Sequence, residues 1–467
     1  MKMWSGRFRQ PLDPAFERWQ RSFDFDRRLL EHELAGSRAY ARALQQAGVL
    51  SSVEFKSILG GLDEIGAKAK SSAAFLDDSE AEDVHHFVEK QLAALIGDAG
   101  RKLHSGRSRN EQIATDLRLY VLASIEQIRT DLAALGDVLV DRAEKSGDAA
   151  MPAYTHLQRA EPVLVAHWLL AYFEMFLRDA DRLQDCGKRL NYSPLGSGAV
   201  AGTTLPLDRQ LMAEQLGFYA PTANSIDATS DRDFVLEFVN DLSLLALHLS
   251  RWAEEMILFS TQEYGFVRLP EAFSTGSSAM PQKMNADLLE LTRAKAARVL
   301  GYATSLQVTV KGLPLAYNKD MQETQEPLFA AAESVISLLP LVIGWMKTAD
   351  FNYERMQNAA ETGFMNAFAA ATYLVNRGIP FRLAHECIGK AVQLSLEKGC
   401  ELADLSLEEL KKLNSAFEQD FYSCLSVAAV LAIHDVPGGT APVRVRQSIA
   451  NAKQRLESMR EVVHAHA

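Results

Sequence analysis

The chain has 467 residues, enough for about three domains and for a large core without disulfide or metal staples. Its 48% apolar and 23% charged content excludes disorder, and glycine plus proline at about 9%, against a usual ~12%, favours long helices. A formal charge of −11 excludes generic attraction to nucleic acid or anionic membrane, so neither is an expected partner.

The first ~105 residues show short helical patterns broken by Gly60-Gly61, Gly97 and Gly100. The opening MKMWSGRFRQPLDP lacks the apolar core of a secretory signal. From about residue 107 the pattern lengthens. Leu117, Val121, Ile125, Ile128, Leu132, Leu135 and Leu139 keep nearly regular three- and four-residue steps. Residues 161–187 read as a helix, with Pro162 as a favourable first residue. Prolines then cluster at Pro194, Pro206 and Pro221 before the clearest run, about 231–263. There Val235, Phe238, Leu242, Leu245, Leu249, Trp252, Met256 and Phe259 form a coiled-coil-like seam over a predicted helix of about 50 Å.

Residues 286–311 and 324–348 continue the helical pattern, with Pro340 expected to kink the second. Leu244, Leu247, Ile257 and Leu258 lie off the main seam, which predicts a bundle whose apolar surface continues into contacts between copies. The last ~110 residues are again short patterns, broken at Gly378-Ile379-Pro380 and Gly438-Gly439. The expectation is an all-α protein of three domains, at 1–106, 107–355 and 356–467. No apolar stretch of about 18–20 residues is free of charge, so no membrane span is expected and the chain reads as cytosolic. Cys186, Cys387, Cys400 and Cys424 form no CxxC pair and read as reduced thiols; no metal is expected.

Three loops between the helices hold reactive side chains. Gly276-Ser277-Ser278-Ala279-Met280-Pro281-Gln282-Lys283-Met284-Asn285 runs into a helix, so backbone N–H groups, the helix start and Lys283 can hold a carboxylate or developing oxyanion. Equally, it is a surface loop in which Asn285 caps the helix and Asp287 complements its dipole. His104-Ser105-Gly106-Arg107-Ser108-Arg109-Asn110-Glu111 suits an anionic small molecule, yet Ser108 with Glu111 also reads as a capping box. In Tyr154-Thr155-His156-Leu157-Gln158-Arg159-Ala160-Glu161-Pro162, His156 is either an acid–base group or a structural histidine. Gly196-Ser197-Gly198 through Gly202 follows a helical stretch and Pro194 rather than a strand, which argues against a dinucleotide site. His85-His86 lacks zinc-site spacing, and neither a phosphate-binding loop motif nor a Gly-x-Ser-x-Gly elbow is present.

In this order the loops resemble the fumarase/aspartase superfamily, whose signature loop GSSxMPxKxN is similar to 276–285. Within it the resemblance is to the argininosuccinate lyases and their delta-crystallin relatives. It is carried also by Met3-Trp4-Ser5-Gly6-Arg7-Phe8, Gly106–Asn110, Thr155–Pro162, Pro194–Gly198, Asp227–Asp233 and Tyr317–Glu323. The resemblance implies a helical three-domain fold and reversible cleavage of argininosuccinate to arginine and fumarate without metal or cofactor. It further implies a homotetramer whose sites draw loops from three subunits.

By the same resemblance Ser277 is the base, and Lys283 and Asn285 stabilise the intermediate. His156 is the site histidine, with Glu290 as its charge-relay partner. Ser108, Asn110 and Thr155 resemble carboxylate ligands, with Arg109 in the same segment, and Ser22, Tyr317 and Gln322 resemble contacts to the arginine end or its α-amino acid head. Asp83 and Asp26 resemble groups that place the guanidinium or support the site. Met284, Ala286 and Gln325 depart from the family pattern, where lysine, proline and lysine are common. An adenylosuccinate lyase-like enzyme and a catalytically silent crystallin-like protein are the alternatives within the superfamily.

Overall fold

The computed structural model describes residues 10–78 and 80–464, with side chains to residue 460; the Met3–Phe8 motif lies outside the described residues. Five long helices dominate: Arg109–Lys145, Val165–Leu190, Asp233–Ser260, Asp287–Val310 and Gln325–Thr348. All eight seam positions from Val235 to Phe259 are buried, as are all seven from Leu117 to Leu139. Each such leucine or phenylalanine contributes roughly 1.5–3 kcal/mol through burial, which is why the apolar spacing and not local propensity fixes these helices. The helix of the clearest seam is shorter at both ends than the 231–263 predicted. Gln325–Thr348 runs through Pro340. Extended to Lys319–Thr348, this segment is long and apolar enough to cross a membrane, but 61% of its most apolar window is buried inside the protein, as in a core helix.

The described residues form two compact units, each drawn from three stretches of chain that divide the long helices. The first unit comprises residues up to 127, 181–243 and 297–336. It adds Leu30–Gln46, Ser52–Ser71 and Val84–Ile96, shorter helices whose buried faces include Leu34, Leu44, Ile58, Leu62, Phe87 and Leu92. Ser51 and Glu54 close a reciprocal capping box at the start of the second.

The second unit comprises residues 128–180, 244–296 and 337 onward. Trp252 and Trp345 meet edge to face in its core, with ring centroids 5.2 Å apart. The short helices near its C-terminal end gather around Phe417 and Phe421, 4.8 Å apart, with Leu374, Ile388 and Leu402. The helix Pro442–His464 packs on Gly136, where an added Cβ would come within 2.7 Å of Leu456.

One segment departs from the helical expectation. Residues 158–164 are a strand, Gln158–Leu164, paired antiparallel with Ala150–Thr155, and the helix begins only at Val165. Pro162 therefore faces Pro152 across a two-strand ladder instead of opening a helix. A ladder of two strands has two free edges, so a rung whose prolines cannot donate is tolerated there. All four cysteines are free thiols.

Candidate active site

In the first unit the sequence-predicted residues converge on a cavity of about 140 Å³, lined by Ser22, Asp83, Arg109, Asn110, Tyr317 and Gln322 together with Asp26 and Gln325. It is built around the start of the Val84–Ile96 helix. Asp83 caps that helix, accepting from the His86 N–H at 2.7 Å, and its other oxygen takes Arg109 at 3.0 Å. Asp26 accepts from the Val84 N–H at 3.0 Å and from the Ser22 hydroxyl at 2.6 Å. Gln322 donates to the Gln20 carbonyl at 3.1 Å. Burial pushes the Tyr317 phenol up, so it stays a hydrogen-bond donor.

The start of the Arg109–Lys145 helix is fixed by Glu111. Its carboxylate accepts the Ser108 N–H at 3.1 Å, and the Ser108 hydroxyl in turn accepts the Asn110 N–H at 3.2 Å. The second Glu111 oxygen accepts the Gly198 N–H at 2.8 Å. The capping-box reading of Ser108 and Glu111 is thus half right, for Glu111 also ties the glycine turn at 196–198 to the helix start. Ser108 itself is outside the residues lining the cavity.

Behind the cavity lies a buried polar network that sequence reading missed. Glu33 accepts from Ser37 at 2.6 Å, from Gln112 at 3.1 Å and from His85 Nδ1 at 2.8 Å, and Arg107 stands 3.6 Å away. Despite burial, the Arg107 and His85 charges hold Glu33 down at about 2. His85 is held up at about 9, because its attraction to Glu33 outweighs its own desolvation. Asp116, buried beside Glu33, is pushed well up by its burial and then by the Glu33 charge. Glu33, His85 and Asp116 are close enough to share a metal ion, yet Glu33 is already met by Ser37, Gln112, His85 and the Arg107 cation. A second such group, Cys186, Glu237 and Asp241, has a thiol that burial keeps protonated. The sequence signal for the first network is the His85-His86 pair, whose spacing does not suit zinc.

In the second unit Thr155 and His156 occupy the tip of a hairpin. Thr155 pairs with Gln158, leaving His156 and Leu157 as a two-residue turn with φ of 55° and 57°. Such turns need positive φ at both central residues and usually use Asn-Gly. Leucine there is strained by roughly 1–2 kcal/mol. The hairpin's base is anchored where Ala150 N–H donates to Gln357 at 3.1 Å and Leu164 N–H to Thr440 at 2.9 Å.

The signature loop is a second hairpin, with Thr275 opposite Asn285 and Gly276 opposite Met284. At its turn the Ser277 hydroxyl oxygen accepts the N–H groups of Ala279 at 3.3 Å and Met280 at 3.1 Å. Lys283 donates to the Asn285 side chain at 2.6 Å, and Asn285 donates to Thr275 at 3.3 Å. Asn285 thus braces the hairpin and does not cap the helix, while Asp287 opens it and accepts from Thr275. His156, Lys283 and Glu290 are all exposed, and His156 and Glu290 are not paired with each other within one chain.

Comparisons with known proteins give the family. A family model described as lyase matches residues 6–301, and one described as argininosuccinate lyase C-terminal matches 364–432. The argininosuccinate lyase of Koribacter versatilis (strain Ellin345) is 60% identical over the whole of both chains. That of Acidobacterium capsulatum is 58% identical, covering 97% of this chain and 95% of the relative. Among solved structures, an EDDS lyase in complex with formate superposes with a TM-score of 0.83 at 26% identity, covering 98% of this chain and 93% of the other. By full-length identity and both family matches, the chain belongs to the argininosuccinate lyase family.

Proposed function

We propose that the protein cleaves argininosuccinate to L-arginine and fumarate, by removing a Cβ proton and breaking the C–N bond to the guanidino nitrogen. The full-length 60% identity to an argininosuccinate lyase carries the reaction. The hairpin at 275–285 supports the assignment of its groups. A serine hydroxyl is a weak base in water, and two N–H groups directed at Ser277 Oγ stabilise its alkoxide form.

Ser277 takes the Cβ proton, and that electron pair becomes the new double bond. The charge that builds on the adjacent carboxylate is met by Lys283 and Asn285, already joined at 2.6 Å. The C–N pair leaves with the guanidino nitrogen, which needs a proton; His156, polarised by Glu290, is the donor in this reading. Ser108, Asn110 and Thr155 hold carboxylates, and Ser22, Asp83, Arg109, Tyr317 and Gln322 receive the arginine end in the cavity. The chain's own residues supply every group this needs, so the reading includes no cofactor.

The same reading takes the enzyme to be a cytoplasmic homotetramer of three-domain subunits, at 1–106, 107–355 and 356–467, with each site drawing loops from three copies. In support, His156, Lys283 and Glu290 are exposed in the single chain, and Leu244, Leu247, Leu291, Leu300, Val308 and Leu341 are exposed on the long helices.

Fumarate release from argininosuccinate, followed by ultraviolet absorbance, tests the reaction, with none expected from adenylosuccinate. A folded, assembled protein that makes no fumarate refutes it. Ser277→Ala is expected to abolish turnover and leave assembly intact; near-normal turnover removes Ser277 as the base.

A further inference from the structure

We infer that Asp26, which the family resemblance already sets at the arginine end, holds a proton until that end binds and gives it up to solvent as the ion pair forms. The inference rests on the reaction proposed above and adds a proton to its binding step.

Three carboxylates line the cavity: Asp26, Glu82 and Asp83. Two share one cation, since Arg109 lies 3.0 Å from Asp83 and 3.4 Å from Glu82, which leaves the pair one negative charge in excess. Asp26 is different. It is 1% exposed, and its hydrogen-bond partners are neutral, the Ser22 hydroxyl and the Val84 N–H. The charged and titratable groups around it are Asp83 and His85 from the helix beginning at Val84, Glu82 with Arg109, and Tyr317 with Lys319 from the 317–319 segment. His85 is turned to Glu33 through Nδ1, and Arg109 is held by the other two carboxylates.

A buried carboxylate without a counter-ion becomes neutral by taking a proton or by taking a cation. In the empty cavity it takes the proton. Burial first, and then the Asp83 charge, push the Asp26 carboxyl up to about 7, against smaller opposing effects of Ser22, His85 and the Val84 N–H. An incoming guanidinium or α-ammonium group replaces that proton: neutral Asp26 and the cation become an ion pair, and one proton leaves to solvent. The dianionic fumarate end is disfavoured in the same place, because Glu82 and Asp83 together outweigh the single Arg109 cation.

L-arginine, one product, isolates this step because it binds without turnover. Its inhibition constant against fumarate formation is to be measured from pH 6 to 8. With a group titrating near 7, arginine should bind about tenfold more weakly at pH 6 than at pH 8. Asp26→Asn should weaken arginine binding and flatten the profile. Ser22→Ala removes a hydrogen bond that favours the charged form, so its midpoint should move to higher pH; this variant carries the test if Asp26→Asn does not fold. A flat arginine profile in an enzyme that makes fumarate overturns the proton step and leaves the reaction standing, as does an unaltered profile in Asp26→Asn or no inhibition by arginine. Absence of fumarate at every pH overturns the reading beneath it.

Discussion

Replacing Glu111 with glutamine keeps the side-chain volume and removes one of two acceptors at a fully buried position. Glu111 is 0% exposed, and its two oxygens take the N–H groups of Ser108 and Gly198. A glutamine can face one of them with oxygen; its NH₂ then meets the other donor head-on. The lost hydrogen bond to a charged group is worth about 1.5–3 kcal/mol, and the orphaned N–H adds a desolvation cost of about 1–3 kcal/mol. Relief offsets part of this, because burial disfavours the Glu111 carboxylate and pushes it up. A net loss of roughly 2–3 kcal/mol follows. At ~2–4 °C per kcal/mol for a unit of this size, the melting temperature should fall by about 5–10 °C in far-ultraviolet circular dichroism at a fixed scan rate. The KM for argininosuccinate should rise as Ser108 and Asn110 lose their anchor, with kcat changed less. A melting temperature within about 1 °C of the parent would refute this hydrogen-bond accounting.

The turn at His156-Leu157 and the buried network behind the cavity give two further tests. Leu157→Asn relieves positive-φ strain at an exposed position, so it should stabilise by roughly 0.5–1 kcal/mol; a lower melting temperature would argue against strain there. The Glu33–His85 pair sets a pH window. His85 sits near 9 in the fold, above its ordinary 6.5, so its contribution is full below 6.5 and is lost as pH rises through 9. Glu33 sits near 2, so its contribution is full above its ordinary 4.5 and is lost as pH falls through 2. Thermal melts should therefore decline between pH 6.5 and 9, and His85→Gln should make that decline shallower; parallel profiles would count against the pair.

The long helices were legible because one physical rule governs them: an apolar seam must be buried, and every seam position from Val235 to Phe259 is. The hairpin at 150–164 was not legible for a related reason. Its turn is His-Leu in place of Asn-Gly, and its facing residues Pro152 and Pro162 are poor strand formers, so local propensity pointed to a helix start. The cavity was legible in part. The family resemblance singles out Ser22, Asp83, Arg109, Asn110, Tyr317 and Gln322 in segments far apart in the chain, and the fold brings them together. Arg107 and the His85-His86 pair stand out in the sequence, but nothing there joins them to Glu33 and Asp116, because only tertiary folding places the four in contact.

The groups of the proposed reaction divide by how they are held. Those for the arginine end sit in a cavity whose acids are each committed to a helix N–H, a hydroxyl or Arg109, so their positions depend on burial. Those for proton transfer ride on two hairpin turns, where backbone geometry sets them: positive φ at His156, and two N–H groups on Ser277. The first kind cannot be altered without disturbing the fold around it, because a removed partner leaves a buried polar group unmet. The second kind is exposed or half-exposed, so truncation there removes chemistry with little structural cost. Ser277→Ala and Glu111→Gln should therefore separate cleanly, one losing turnover at an unchanged melting temperature and the other losing stability and substrate affinity while turnover persists. If both variants lost the same property, burial and backbone would not be the separate supports that the two sets of contacts describe.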